Sequence, residues 1–339
     1  MPSVAPQVAR SVDELLARAT DRRPLEDGAG KSGARLERAS IDGEPYAVKY
    51  IDLARDWTMR AAGSLSGVSL ELWRRGLLER LPDCIFQPIV SLAVDPGDPD
   101  VVPSGGSVLL MHDVGDWLVP VSDEPVALGR HRVFLDHMAA VHAQYWGGGA
   151  EIEVVPDMHR YLDLSLWTAA AEAAIGSEHL VPRLIGQGWP LFAEVAPAAA
   201  AVVSPLVDDP SPLVESLART PQTFVHGNWK FDNLGTHPDG RTVLLDWELS
   251  GRGAPCGDLA WYLAINCRRL PESKESAIEA YRAALARHGI DTEPWWDRQL
   301  ALCLLGALVQ FGWEKALGGY DDELAWWEER AIAAAGLLS

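Results

Sequence analysis

Residues 34–41 (ARLERASI) and 45–51 (PYAVKYI) are two strand-like runs around Asp42-Gly43-Glu44. Asp-Gly between such runs predicts a hairpin, because a tight turn needs residues that accept left-handed backbone angles. Downstream, Leu70, Trp73, Leu77 and Leu81 recur at helical spacing and predict a helix running through SLELWRRGLLERL (69–81). IFQPIVSLAV (85–94) and SVLLMHDV (107–114) predict two more strands, parted by a loop rich in Pro, Asp and Gly. From 128 onward most segments read as helices: RHRVFLDHMAAVHAQYW, an Ala-rich stretch around 167–202, SKESAIEAYRAALARHG, and the last fifty residues. One interruption, TFVHGNWKFDNLGTHPDGRTVLLDWEL (223–249), holds two strand-like pieces around a Pro-Asp-Gly turn. The expected organisation is an α+β chain, with a small sheet-rich lobe over 1–115 and a larger helical lobe over 116–339.

With 339 residues, 48% hydrophobic and 23% charged, the chain has the proportions of a protein with a sizeable core and not of a disordered or collagen-like one. A net charge of −19 argues against a partner held through its phosphates, so no nucleic acid is expected. The acidity is uneven, −4 over 1–115 and −15 over 116–339. That is either a solvated acidic surface or a field that attracts cations. Cys84, Cys256, Cys267 and Cys303 lie far apart with no Cys-x-x-Cys and no His at metal spacing. Neither a disulfide scaffold nor a zinc site is expected, and a reducing cytoplasm suits the composition. No apolar core of signal-peptide type opens the chain. ALCLLGALVQFGW (301–313) falls short of the ~18–20 residues a spanning helix needs, so no membrane is expected.

The interruption carries the chemistry. His226-Gly227-Asn228-Trp229-Lys230-Phe231-Asp232-Asn233 is followed by the hairpin and then by Asp246-Trp247-Glu248. Phosphoryl transfer from a nucleotide needs metal ions bridging the phosphates, hence an amide oxygen and a carboxylate converging on one spot. Asn233 enters the first strand and Asp246 ends the second, so the hairpin is expected to bring them together. The stretch resembles the catalytic loop and metal-binding segment of the aminoglycoside phosphotransferase and choline kinase group, relatives of the protein kinases. That pattern is H-G-D-x-x-x-x-N, then an apolar run and Asp. Every element is present except the catalytic Asp, where this chain has Asn228. Gly253-Ala-Pro-Cys-Gly-Asp258-Leu-Ala resembles the family's G-x-P-x-x-D-L-A segment.

The resemblance implies a two-lobed, protein-kinase-like fold and a role for each residue. Asn228 occupies the base position. Lys230, spaced like the catalytic-loop Lys of many protein kinases, would neutralise charge on the transferred phosphoryl. Asn233 and Asp246 would hold Mg2+, while Trp229, Asp232 and Glu248 would face the acceptor. His226 and Asp258 would be structural, Asp258 bracing the loop. In the small lobe, Ala47-Val48-Lys49 resembles the V-A-I-K strand whose Lys pairs the nucleotide phosphates. Glu71 stands where its carboxylate partner is expected, with Glu79 as runner-up. Leu109-Leu110-Met111-His112-Asp113 resembles the strand against which the base lies, placing Met111 and Asp113 at the nucleotide. Gly28-Ala-Gly30-Lys31-Ser32-Gly33 is not a P-loop, since Leu25 stands where the first Gly is needed and no helix opens after it. As a turn over the phosphates, it would offer backbone N–H groups of Gly30 and Ser32.

His137 and His142, five apart and without a metalloprotease Glu, read as core or surface histidines. Trp295, Trp296, Trp313, Trp326 and Trp327 alternate with carboxylates, a pattern that suits core packing or an amine- or sugar-binding wall. The implied function is ATP- (or GTP-) dependent phosphorylation of a hydroxyl on a small, cationic or sugar-like molecule. Asn228 cannot accept a proton, and general-base catalysis contributes ~10²–10⁴-fold, so impaired transfer is expected. The Asn is either that of a natural pseudokinase that binds nucleotide, or an engineered Asp-to-Asn replacement that traps a complex. A peptide acceptor also stays open, because Lys230 fits protein kinases.

Overall fold

The structure, a computed structural model, describes residues 8–25, 32–64, 67–98, 100, 105–319 and 321–338. Two compact units are present: Met1–Leu118 with Gly235–Glu248, and Val119–Leu234 with Leu249–Ser339. The first therefore takes in a hairpin from the second half of the chain, which a linear division at 115 does not include.

In the first unit, β1 (Thr20–Pro24), β2 (Arg35–Ile41), β3 (Glu44–Asp52), β5 (Ile89–Asp95) and β6 (Gly106–His112) form an antiparallel sheet ordered β1-β2-β3-β6-β5. Asp42 (φ 53°) and Gly43 (φ 87°) make the β2–β3 turn left-handed at both central positions, which matches the strand twist. Val48, Val108 and Leu110 pack one face with Leu15 and Leu16 of the N-terminal segment. The predicted run at 85–94 is broken at Gln87-Pro88. Proline has no N–H for a ladder, and the Gln87 amide bonds both backbone groups of Ile89. Its first part, β4 (Ile85–Phe86), joins a second sheet of order β4-β9-β8, built with β8 (Leu234–Thr236) and β9 (Thr242–Leu244).

The helix predicted over 69–81 is shorter. Helix α3 (Val68–Arg74) stops before Gly76, whose φ of 64° is left-handed, and a 3-10 turn follows at Leu78–Arg80. Leu77 and Leu78 stay buried all the same. Between β3 and α3 lies α2 (Trp57–Ala62), capped by Asp56, which accepts from the N–H groups of Thr58 and Met59.

The second unit is mainly helical: α4 (Leu128–Gln144), α5 (Asp157–Leu162), α6 (Leu166–Ala174), α7 (Leu180–Val195), α8 (Pro197–Asp208), α9 (Ser211–Ala218), α10 (Pro255–Ile265), α11 (Lys274–Arg287), α12 (Trp296–Leu317) and α13 (Asp322–Ala334). A two-stranded ladder joins β7 (Thr223–Val225) to β10 (Gly251–Gly253). Helix α12 is the axis, packed by α7, α8, α10 and α13. It has 22 residues, so the apolar run at 301–313 belongs to a helix long and apolar enough to cross a membrane. However, 78% of its most apolar stretch is buried inside the protein, as in a core helix. At the α7–α12 crossing, a Cβ on Gly188 would sit 2.4 Å from the Trp313 carbonyl, so only glycine permits the approach.

Candidate active site

In β3, alternation sends Val48 and Tyr50 into the core (0% and 7% exposed) and Lys49 to the other face. There Lys49 Nζ donates to Asp246 Oδ1 at 2.6 Å. Burial works against the ammonium, but Asp246, Glu248 and Asp56 outweigh it, and the Lys49 pKa is pushed up to about 12. The group stays charged at every physiological pH. Asp246 is one of three non-glycine residues with positive φ among those described, at 66°. Such backbone is sparsely populated and costs ~1–3 kcal/mol unless its surroundings hold it. Lys49, Ser69, Ile89, Leu109, Met111 and Asp246 line one small cleft within this unit.

Glu71 is not the partner of Lys49. It accepts from Arg75 Nε at 2.7 Å, one turn along α3. Glu79 lies exposed on the 3-10 turn. Nor is Glu248 on an acceptor surface: it is 8% exposed. Its carboxylate accepts from the N–H of Val68 at 2.7 Å and of Ser69 at 3.3 Å, and from Ser69 Oγ. Burial pushes the Glu248 pKa up, while Lys49 and the Ser69 hydroxyl pull against it. Met111, the penultimate residue of β6, lines the cleft. The Asp113 carboxylate is taken by Arg38 at 2.8 Å and by the N–H of Gly115, so any contact with a base there falls to backbone. Ser32 binds within its own turn and to α2, its carbonyl accepting from the N–H of Trp57 at 3.1 Å. Gly30 lies outside the described residues.

In the second unit, β7 delivers the chain to His226. Gly227 has φ 73°, and a Cβ there would lie 2.3 Å from the Leu249 carbonyl, so the sharp bend requires glycine. Asp258, 2% exposed on α10, accepts from the N–H of His226 and of Gly227, both at 2.7 Å, and from His142 Nε2 at 3.0 Å. Burial opposes its charge, yet the bonds from His142 and His226 hold the carboxyl below its ordinary range. His142 is itself fixed by Tyr281, whose hydroxyl lies 2.6 Å from Nδ1. The loop is also closed on itself. Asn228 N donates to His226 Nδ1 at 3.2 Å, and Asn233 Nδ2 donates to the Asn228 carbonyl at 3.0 Å. Asn228 is 6% exposed, Lys230 half-buried, Asp232 exposed.

The donor chemistry fits a hard cation. Within the second unit the Asn233 amide is oriented through its nitrogen, which turns its oxygen to a ligand; within the first, Asp246 offers a carboxylate. No group of three or more His, Cys, Asp or Glu among the described residues is placed to hold a metal.

The family model described as the phosphotransferase enzyme family (APH) matches residues 188–298, which include the whole 226–258 loop, hairpin and brace. Over this segment, about a third of the chain, the sequence is similar to that family. Among solved structures, the chain is similar to the choline kinase LicA of Streptococcus pneumoniae, at 14% identity over 96% of this chain and 97% of that one, with a TM-score of 0.50. It is also similar to a microcompartment-associated aminopropanol kinase (14% identity, 98% and 92% covered, TM-score 0.49) and to aminoglycoside phosphotransferase APH(4)-Ia (13%, 96% and 96%, 0.48). The likeness to the choline kinase is one of fold. No curated protein matches the chain.

Two further sequence expectations need correction. Trp229 is fully buried and packs edge-on to His226 at 5.8 Å, so it supports the loop and cannot face an acceptor. The C-terminal tryptophans do not line an amine-binding wall either. Trp296, Trp313 and Trp327 are core, and Trp326 has Arg330 at 3.6 Å and Lys274 at 4.9 Å over its ring. The chain's own cations occupy that face. Sequence reasoning missed His142, Tyr281 and Ser69. No local spacing links 142 to 258 or 69 to 248; only the apolar surroundings of His142 in MAAVHAQ marked it as an inward histidine.

Proposed function

We propose that the chain is an O-phosphotransferase that uses ATP or GTP with Mg2+ and transfers to a hydroxyl of a small, cationic or sugar-like molecule. The observation that carries this reading is the 2.6 Å contact between Lys49 and Asp246. Two motifs, 197 residues apart in sequence, each nominate one of these residues for the phosphates and their metal, and they meet.

In this reading the Lys49 ammonium, charged at working pH, orients the phosphates. Asp246 and Asn233 hold the metal, which when bound would neutralise charge on the transferring group. Lys230 adds positive charge beside Asn228. The Asn228 side chain can orient the acceptor hydroxyl through its oxygen, but it takes no proton, so transfer is slow. The excess of negative charge over 116–339 favours a cationic acceptor, and the similarly folded choline kinase is named for such an alcohol.

The test is thermal unfolding with Mg-ATP and Mg-GTP at millimolar concentration. At a hundred times its dissociation constant a nucleotide stabilises the fold by ~2.7 kcal/mol. Absence of any shift with both nucleotides would overturn the kinase reading.

A further inference from the structure

Protein-kinase logic ties the helix after the Lys strand to the nucleotide cleft through a Lys–Glu pair. Here α3 presents Glu71 to Arg75, and no such pair forms. A different carboxylate reaches α3 from the opposite direction in sequence. Glu248, two residues beyond Asp246, accepts from both leading N–H groups of the helix, Val68 and Ser69, and from the Ser69 hydroxyl. The approach is close: Gly67, at φ 87°, leaves no room for a Cβ, which would lie 2.8 Å from Ser107 Oγ and 3.4 Å from Glu248 Oε2.

We propose that Glu248 is a positioning residue of the nucleotide cleft, holding the start of α3 against the segment that carries Asp246. The inference rests on the reading of this cleft as the nucleotide site. Two consequences follow from the bonds. Ser69, which lines the cleft with Lys49 and Asp246, has its hydroxyl proton committed to Glu248, so its oxygen faces a ligand as an acceptor only. And the segments that carry Asp246 and Ser69 move as one body, since a single buried carboxylate joins them. Glu248 touches neither nucleotide nor metal in this scheme; it acts through Ser69 and the backbone of α3.

The experiment uses the full chain with Glu248→Gln, Ser69→Ala and Glu71→Gln. Glutamine keeps the size and one acceptor oxygen, but its NH2 meets a donor. Two readouts are followed: amide hydrogen exchange across 67–73 without ligand, and affinity for Mg-ATP by titration. With Glu248→Gln, exchange over 67–73 should speed up by at least tenfold and nucleotide affinity fall about tenfold, and Ser69→Ala should give a smaller change in the same direction. Where transfer is measurable, the nucleotide KM should rise more than kcat falls. Unaltered exchange and affinity in Glu248→Gln would overturn the inference, as would a loss that appears with Glu71→Gln instead. If the parent chain binds no nucleotide, the functional reading fails while the exchange readout still decides whether Glu248 holds α3.

Discussion

Replacing Asp258 by Asn is a near-isosteric change whose cost can be worked out from its bonds. Oδ2 accepts from His226 N and His142 Nε2, and Oδ1 accepts from Gly227 N. With the amide oxygen at the Oδ2 position two bonds survive, but the NH2 group is turned on the Gly227 N–H. One buried donor then goes unmet, at ~1–3 kcal/mol, and the two surviving bonds lose their charge assistance, roughly 1 kcal/mol each. The sum is ~3–5 kcal/mol. For a unit of about two hundred residues each kcal/mol moves the melting midpoint by ~2–4 °C, so a drop of ~6–20 °C is expected. The sign with pH follows from the depressed carboxyl. Its folded pKa lies below the unfolded one, so its stabilisation is complete above the ordinary carboxylate range and is lost as pH falls through the folded value. The gap between parent and variant should be full at pH 7 and narrow below about pH 4. Circular dichroism melts from pH 3 to 8, with hydrogen exchange at Gly227, measure both. A midpoint change under 2 °C, or a gap as wide at pH 3 as at pH 7, would refute this account of the brace.

Asn228→Asp should raise transfer to a responsive acceptor by at least ~10²-fold with nucleotide affinity little changed. Nucleotide consumption across amine, sugar and peptide panels measures it, and equal inertness of both forms would favour a pseudokinase. Asp246→Asn, which tolerates the left-handed backbone, should remove the magnesium dependence of nucleotide binding; identical titrations with and without magnesium in the parent would sink the assignment. Asp163 is buried, its Oδ1 has no hydrogen-bond partner, and burial pushes its pKa up to about 8 against the pull of Arg160. A raised carboxyl stabilises fully only below its unfolded pKa and loses that stability as pH rises toward 8. Asp163→Asn should therefore melt higher than the parent at pH 8 and show little difference at pH 4; parallel melting curves would exclude this.

The hairpin at 42–43 and the strand bearing Lys49 were legible because each is fixed by a local rule, an Asp-Gly turn and a period of two, whereas the loop from His226 to Asn233 was legible through its family pattern. What was not legible depends on partners distant in sequence. Glu71 lies at a helical position that faces Lys49 only if α3 turns that side to the sheet. The Arg75 guanidinium one turn along offered a nearer partner, and Glu248 took the start of the helix. Trp229 was expected to face the acceptor, but it is buried, packed edge-on to His226 within the closed loop. The length of the helix at 69–81 failed on one residue, Gly76, whose left-handed angle ends α3 despite the continuing leucines.

The first unit is built from two separated lengths of chain, and this has a consequence for synthesis. Strand β4 pairs in parallel with β9, so Ile85 and Phe86 leave the ribosome long before the strand they bind. At ordinary elongation rates Glu248 follows Leu118 by on the order of ten seconds. Throughout that interval the nascent chain holds Lys49 without Asp246, and α3 without the carboxylate that caps it. A fragment ending at Leu118 is frozen in that incomplete state, open at β4 and prone to capture by chaperones or proteases. Any attempt to express the first unit alone must graft the 235–248 hairpin onto it.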